Sequence, residues 1–299
     1  MQPILRDLNR TADCSAVVSC LDNATSSPAC TLTYSGGFES DMADSIVMEE
    51  MTWPQVKAAL EGGFDTVILQ SASVEQHGPH MPLLTDTLIG AEVAKRIALK
   101  LGKTLVAPVI RPGLSNHHMA FSGSFTVSPE TFKAMIEDCC SSLAFHGFRN
   151  IILLSSHGGN FTYIDGIAPS IQLSMKRQGF DTRIIPHVNP GRYSRIQQDF
   201  LGEKYGVPLE EAGFHADVIE TACMMVIRPD LLHMDQAAPG YIGDNLPLLD
   251  RIFVEGMHSV TANGIIGDPR RATPAMGEAL LEHLTGTLAG ELQRRLGRS

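Results

Sequence analysis

Two short apolar runs, 66–70 (TVILQ) and 150–155 (NIILLS), each break off into a turn built of glycine, histidine and acid, and that combination limits the chain to few folds. Runs of this length, rich in β-branched residues and bounded by turn signals, read as strands buried on both faces. Around them the pattern turns helical. Helices are predicted over 53–60, over 86–98 with Ile89, Val93, Ile97 and Leu101 as one apolar stripe, and over 130–148, 161–178, 216–227 and 274–296; further strands are predicted over 104–110 and 182–188. Repeated βα units predict an α/β fold: a mostly parallel β-sheet flanked by helices on both faces, with the active site at the carboxyl ends of the strands. No repeat or linker divides residues 46–299, which read as one domain. Residues 1–45 are rich in Ser, Thr, Asp, Asn and Gly with little periodicity, and read as a poorly ordered or subunit-contacting N-terminal arm.

The chemistry is concentrated just after the two apolar runs. The first leads into Glu75-Gln76-His77-Gly78-Pro79-His80-Met81-Pro82-Leu83-Leu84-Thr85-Asp86. Glu75 and His77, two residues apart in an extended segment, project to the same side. The second leads into Ser156-His157-Gly158-Gly159-Asn160, where the glycine pair lets the backbone turn sharply and approach a ligand and Asn160 is a candidate helix N-cap. A third cluster runs from His215 through Asp217 to Glu220 and Thr221. Carboxylates mixed with imidazoles suit Zn²⁺, Mn²⁺ or Fe²⁺, and the absence of thiolates beside them argues against a structural zinc site. Asp86 is the natural bridge, since one carboxylate shared by two ions about 3.5–4 Å apart would hold a water between them and lower its pKa.

These segments, together with G-I-I-G-D-P-R-R-A-T at 264–273, resemble the creatininase family of metal-dependent amidohydrolases from about residue 47 to the C-terminus. The resemblance implies metal ligands at Glu75, His77, Asp86 and His157, two ions per chain, and a catalytic histidine at His215. Creatininase itself has a glutamate two residues after the histidine that matches His157, where this chain has Gly159. Glu220, which matches the glutamate of the family's H-A-G-x-x-E-T-S pattern, is the candidate fifth ligand and joins His215 as a catalytic candidate. Asp217, standing where that pattern has glycine, is the competing acid. His80, Ser115, His118, Gly158, Gly159 and Asn160 are candidates for the substrate pocket, with His80 aimed either into it or at a supporting carboxylate. His146, His187, His233, His258 and His283 read as structural or surface groups.

The expected activity is that of a binuclear hydrolase of a small-molecule amide, lactam or formamide, in which a metal-bridged hydroxide attacks and His215 shuttles the proton. The alternative is a hydrolase that opens the ring of a cyclic keto-polyol or carbohydrate derivative, and a third reading is a metal-stabilised binding protein without turnover. Creatinine itself is disfavoured, because creatininase stacks its flat ring near tryptophans and Trp53 is the single tryptophan here. A net charge of −10 argues against nucleic acid or an anionic membrane as a partner. No apolar run approaches the ~20 residues of a spanning helix, so a cytoplasmic protein is expected. The six cysteines form no C-x-x-C pair and read as free thiols. The family resemblance further implies a homo-oligomer, a hexamer.

Overall fold

Strand β1 (Thr66–Ser71) runs parallel to β3 (Asn150–Ser155) in unbroken register, from Thr66 opposite Asn150 to Ser71 opposite Ser155. Strand β2 (Thr104–Val106) pairs with the outer edge of β1, and β4 (Arg183–Pro186) with the outer edge of β3. The order is therefore β2-β1-β3-β4, all parallel. The computed structural model describes residues 45–243 and 248–298; the expected N-terminal arm, all but Ser45, lies outside the described residues. Nine α-helices occur among them: α1 (Trp53–Glu61), α2 (Thr85–Leu101), α3 (Pro129–Phe145), α4 (Gly158–Arg177), α5 (Pro190–Tyr205), α6 (Leu209–Ala212), α7 (Val218–Ile227), α8 (Leu248–Glu255) and α9 (Pro274–Leu296). None of the described helices is long and apolar enough to cross a membrane.

Strand side chains alternate between two cores. Ile68, Val106, Ile152, Leu154 and Ile185 point to one face, where Ile89, Val93 and Ile97 of α2, Val218 and Ala222 of α7 and Leu280, Leu284 and Leu288 of α9 cover them. Val67, Leu69, Leu105, Ile151 and Leu153 point to the other, against Phe132 and Ile136 of α3 and Ile164, Ile171 and Met175 of α4. Period-two alternation with apolar residues on both sides is what a doubly covered sheet requires. In the order β2-β1-β3-β4, successive connections leave β1 and β3 in opposite directions, and the crevice beyond their carboxyl ends is where such sheets bind ligands.

Several boundaries differ from expectation for local reasons. The strand expected over 104–110 stops at Val106, because Pro108 has no N–H for the ladder; the chain nonetheless rejoins β1 where the Ile110 amide donates to the Gln70 carbonyl. Helix α4 begins at Gly158 with His157 as N-cap, not at Asn160, whose side chain instead accepts from the Leu114 amide and donates to the Ala72 carbonyl. Helix α2 begins at Thr85, so Asp86 lies in its first turn and is free to face the site. Helices α5, α6 and α8 were not anticipated. The apolar residues of α5 (Tyr193, Ile196, Phe200, Leu201) have helical spacing but are outnumbered by polar ones. Cys139, Cys140 and Cys223 are free thiols, the last two buried.

Ile152 has no exposed surface and packs at the middle of the first core. Ile152→Ala is expected to lower unfolding stability by about 2–5 kcal/mol. Denaturant titration should show this as a lower midpoint at unchanged m, and a loss near zero would mean that face is not packed.

Candidate metal centre

The loop after β1 folds back on itself, with the Glu75 amide donating to the Leu83 carbonyl and His77 bridging Met81, so that Glu75, His77 and Asp86 converge. Backbone carbonyls set the two key imidazoles. His77 Nδ1 lies 3.1 Å from the Glu75 carbonyl oxygen. A carbonyl only accepts, so Nδ1 carries the hydrogen and Nε2 faces inward, 3.3 Å from Asp86 Oδ1 and 3.7 Å from Glu220 Oε2. His157 is arranged the other way round. Its Nε2 donates to the Leu114 carbonyl at 3.0 Å, which leaves Nδ1 3.2 Å from Glu75 Oε1 and 3.3 Å from Asp86 Oδ2.

Asp86 thus presents one oxygen to each histidine. Two sets of donor atoms result, Glu75–Asp86–His157 and His77–Asp86–Glu220, each with its atoms within 4.8 Å of one another. Glu75, His77 and His215 form a third such grouping. Among the described residues, His77 Nε2 and Asp86 Oδ2 are buried and lack any hydrogen-bond partner. Buried polar atoms without partners are costly, and donors of this chemistry converging on a common centre fit divalent cations.

The electrostatics follow from that crowding. Burial alone would raise the Glu75 pKa, but His118, His157 and His215 outweigh it and hold the carboxyl well below its ordinary range. Burial opposes charge on His77 and His157 as well, yet Glu220 and Asp86 around the first, and Glu75 and Asp86 around the second, hold both well above the usual imidazole range. His215 goes the other way, pushed down by burial and by His77. Its Nε2 lies 2.9 Å from both the backbone carbonyl oxygen and the side-chain amide nitrogen of Gln76, so one residue can accept from that nitrogen when it is protonated and donate to it when it is not. Its Nδ1 faces Glu75 Oε1 at 3.9 Å. Asp217 is pushed well above the carboxylate range by burial and by Glu220.

Around these groups is a cavity of ≈ 90 Å³, walled also by Ser156, Tyr193, Gln197, Phe214 and Asp217. Of the expected pocket residues, Gly158 lines it. His80 is fully buried behind it, bonded through Nε2 to Thr221 Oγ1 at 2.9 Å and pushed down to about 4 by burial and by His77. Ser115 Oγ contacts Ser73 Oγ and His157 Nε2, and His118 Nε2 lies 3.3 Å from Glu75 Oε1. Asn160 ties loops together from beneath. The structure separates the two acids that competed for the fifth position. Glu220 joins a donor set with His77 and Asp86, whereas Asp217 joins none among the described residues; its Oδ1 caps α7, accepting from the Ile219 and Glu220 amides. The segment 264–273 holds the His215 loop, since Ile266 and His215 exchange backbone hydrogen bonds.

The structure adds three contributors. His117 stacks on His157 with ring centroids 5.6 Å apart; the adjacent His118 was its only signal. Gln76 was visible within the motif without a role. Tyr193 gave no signal, because it arrives on the unanticipated α5.

A family model described as "Creatininase: Creatinine amidohydrolase" matches residues 49–292. A mycofactocin precursor peptide peptidase of Mycolicibacterium smegmatis is 28% identical over 76% of this chain and 84% of its own length. A creatinine amidohydrolase of Pseudomonas putida is 26% identical over 81% of this chain and 94% of its own. A 3-dehydro-scyllo-inosose hydrolase of Thermotoga maritima is 29% identical over 64% of this chain and 59% of its own. Among solved structures, a zinc–zinc form of a mutant creatininase superposes with a TM-score of 0.69 at 23% identity, covering 85% of this chain and 99% of that one. A structure described as creatininase Mn gives 0.68 at 24%, covering 84% and 99%. At that identity the likeness shows a shared fold.

Gly159 has no room for a side chain: a Cβ there would overlap the Leu114 carbonyl and crowd both His157 and His117. Gly159→Ala is expected to cost about 1–3 kcal/mol of stability by overpacking. The shift should appear in thermal or denaturant unfolding, and an unchanged midpoint would show that the loop tolerates the group.

Proposed function

The chain belongs to the creatininase family, hydrolases that act on C–N amide bonds, and from that premise we propose that it hydrolyses a small-molecule amide, lactam or formamide at a pair of divalent cations. One observation carries the pair: the two oxygens of Asp86 face two different donor sets, Oδ1 toward His77 and Glu220 and Oδ2 toward His157 and Glu75. Zn²⁺ is the favoured ion and Mn²⁺ or Fe²⁺ would suit the same donors. Bound there, the cations would supply an activated water and polarise the scissile carbonyl.

The chain's own groups do the rest. Ser73 donates to Glu75 Oε2 at 2.9 Å and His118 contacts Oε1, so that carboxylate is oriented before any ligand arrives. His215 moves the proton. Nδ1 faces the reaction centre, takes the proton lost by the attacking water and gives it to the departing nitrogen, while Gln76 serves Nε2 in either protonation state. A hydrolase that opens a cyclic keto-polyol would use the same cations, and the likeness to the Thermotoga maritima protein supports that second reading. A screen of lactams, formamides and keto-inositols with metal-loaded protein separates the two.

Assembly belongs to the same reading. Large apolar side chains stand exposed at Trp53, Met119, Phe125, Phe253 and Val254, which supports self-association of the kind family resemblance implies, a hexamer. Sedimentation at micromolar concentration is expected to show an oligomer; a stable monomer would refute it.

Metal analysis is expected to give about two ions per chain, with Asp86→Ala losing both and Glu220→Ala weakening one site. His215→Ala should keep both ions while kcat falls about 10²–10⁴-fold. Full activity in Asp86→Ala would exclude the shared centre. Loss of metal from His215→Ala with retention in Glu220→Ala would exchange the two roles.

A further inference from the structure

His80 and Thr221 have no exposed surface, and neither belongs to a donor set among the described residues. His80 lies in the loop that carries His77, and Thr221 in the first turn of α7, directly after Glu220. Thr221 Oγ1 stands 2.9 Å from His80 Nε2 and donates to Met81 Sδ at 3.7 Å. A thioether only accepts, so the hydroxyl hydrogen goes to sulfur and the oxygen accepts from His80 Nε2–H. His80 Nδ1, buried without a hydrogen-bond partner among the described residues, is then the bare nitrogen of the ring. The loop itself is held in shape, since His77 bridges Met81 and the His80 carbonyl accepts from the His233 amide at 2.9 Å. Thr221 therefore grips a fixed loop that ends in one candidate ligand, from a helix that carries another. Apolar packing seats α7 against α2 and α9, but an apolar contact is non-directional and sets a helix's register less sharply than a buried hydrogen bond does. The Ala216 amide restrains Glu220 Oε2 only within its own turn and does not fix the span from α7 to His77. The His80–Thr221 bond does fix it, and Glu220 Oε2 stands 3.7 Å from His77 Nε2 across that span.

We propose that His80 and Thr221 are positioning residues, whose hydrogen bond latches α7 to the His77 loop and so sets the affinity of the His77–Asp86–Glu220 donor set for its cation. This rests on the reading of the centre as a pair of cations. The Glu75–Asp86–His157 set is held by the loops after β1 and β3 and by the start of α2, none of which the latch touches, so the two sites depend on different supports.

The test titrates Mn²⁺ alone into the metal-free protein, with the unbound ion read by electron paramagnetic resonance, for the unaltered chain, Thr221→Val, Thr221→Ser and Glu220→Ala. Valine keeps the shape of threonine and loses the hydroxyl, whereas serine loses the methyl group and keeps the hydroxyl. Glu220→Ala marks the binding step that belongs to its own site. Thr221→Val is expected to weaken that same step by about 10–100-fold and to leave the other unchanged, while Thr221→Ser keeps both affinities. A merely structural role would track lost packing and would not separate the two steps. Should Thr221→Val not fold, Thr221→Ala read against Thr221→Ser makes the same comparison. Unchanged binding in the variant without the hydroxyl, equal weakening of both steps, weakening of a step that Glu220→Ala leaves intact, or the same loss in Thr221→Ser overturns the proposal. Fewer than two ions bound by the unaltered protein would overturn the paired centre and the latch with it, whereas two ions there and no effect of Thr221→Val would remove the latch alone.

Discussion

The parallel pairing of β1 with β3 is the constraint on which the site depends. Their last paired residues, Ser71 and Ser155, bring two loops out of the sheet side by side. Glu75 and His157 follow four and two residues later, and a crevice exists there because β2 and β4 lie on opposite outer edges. The third segment, with His215 in the loop before α7 and Glu220 in that helix's first turn, follows no strand among the described residues. It is delivered by α7, which packs with α2 and α9 over one face of the sheet, and by the backbone bridge from His215 to Ile266. Ordinary apolar packing therefore sets the positions of groups whose chemistry is entirely polar.

Those groups are expensive to bury. Taking a charge out of water costs several kcal/mol unless it is matched, and here Glu75 and Asp86 are almost completely enclosed with His77 and His157. In the protein alone these carboxylates favour the protonated form of both imidazoles, holding them above the usual imidazole range. Divalent cations match them differently, since ligation by a histidine requires the neutral ring and metal binding displaces the proton. With the two ions proposed above, three carboxylates would come close to neutrality without any protonated histidine. The backbone carbonyls of Glu75 and Leu114 already hold the outer nitrogen of each ring, so the inner nitrogen is aimed before an ion arrives.

Supporting contacts keep that arrangement rigid. Asn160 spans from the Leu114 amide to the Ala72 carbonyl, and Gly159 lets the loop close without a side chain in the way. Ala216 sits between His215 and Asp217 with φ at +52°, a conformation costly for a residue with a Cβ. Its amide donates to Glu220 Oε2 at 2.6 Å, so the strained turn is also the one that restrains a candidate ligand.

The apolar runs at 66–70 and 150–155, and the histidine and acid pattern behind them, were enough by themselves to place a doubly covered parallel sheet and a polar cluster at its carboxyl edge. Hydrophobic periodicity and turn chemistry are local properties, so they survive in the sequence. Helix α5 was hidden because its apolar stripe is thin, and with it went Tyr193 and Gln197 of the cavity wall. His117 and Gln76 acquire meaning only from partners that are remote along the chain, His157 for the one and His215 for the other. The division of labour between Glu220 and Asp217 could not be read from spacing, since both acids open the same helix. Tertiary structure sets where each carboxylate points. The α7 N-terminus claims the nearer carboxylate for its unpaired amides, and the first turn of the helix carries the farther one across to His77.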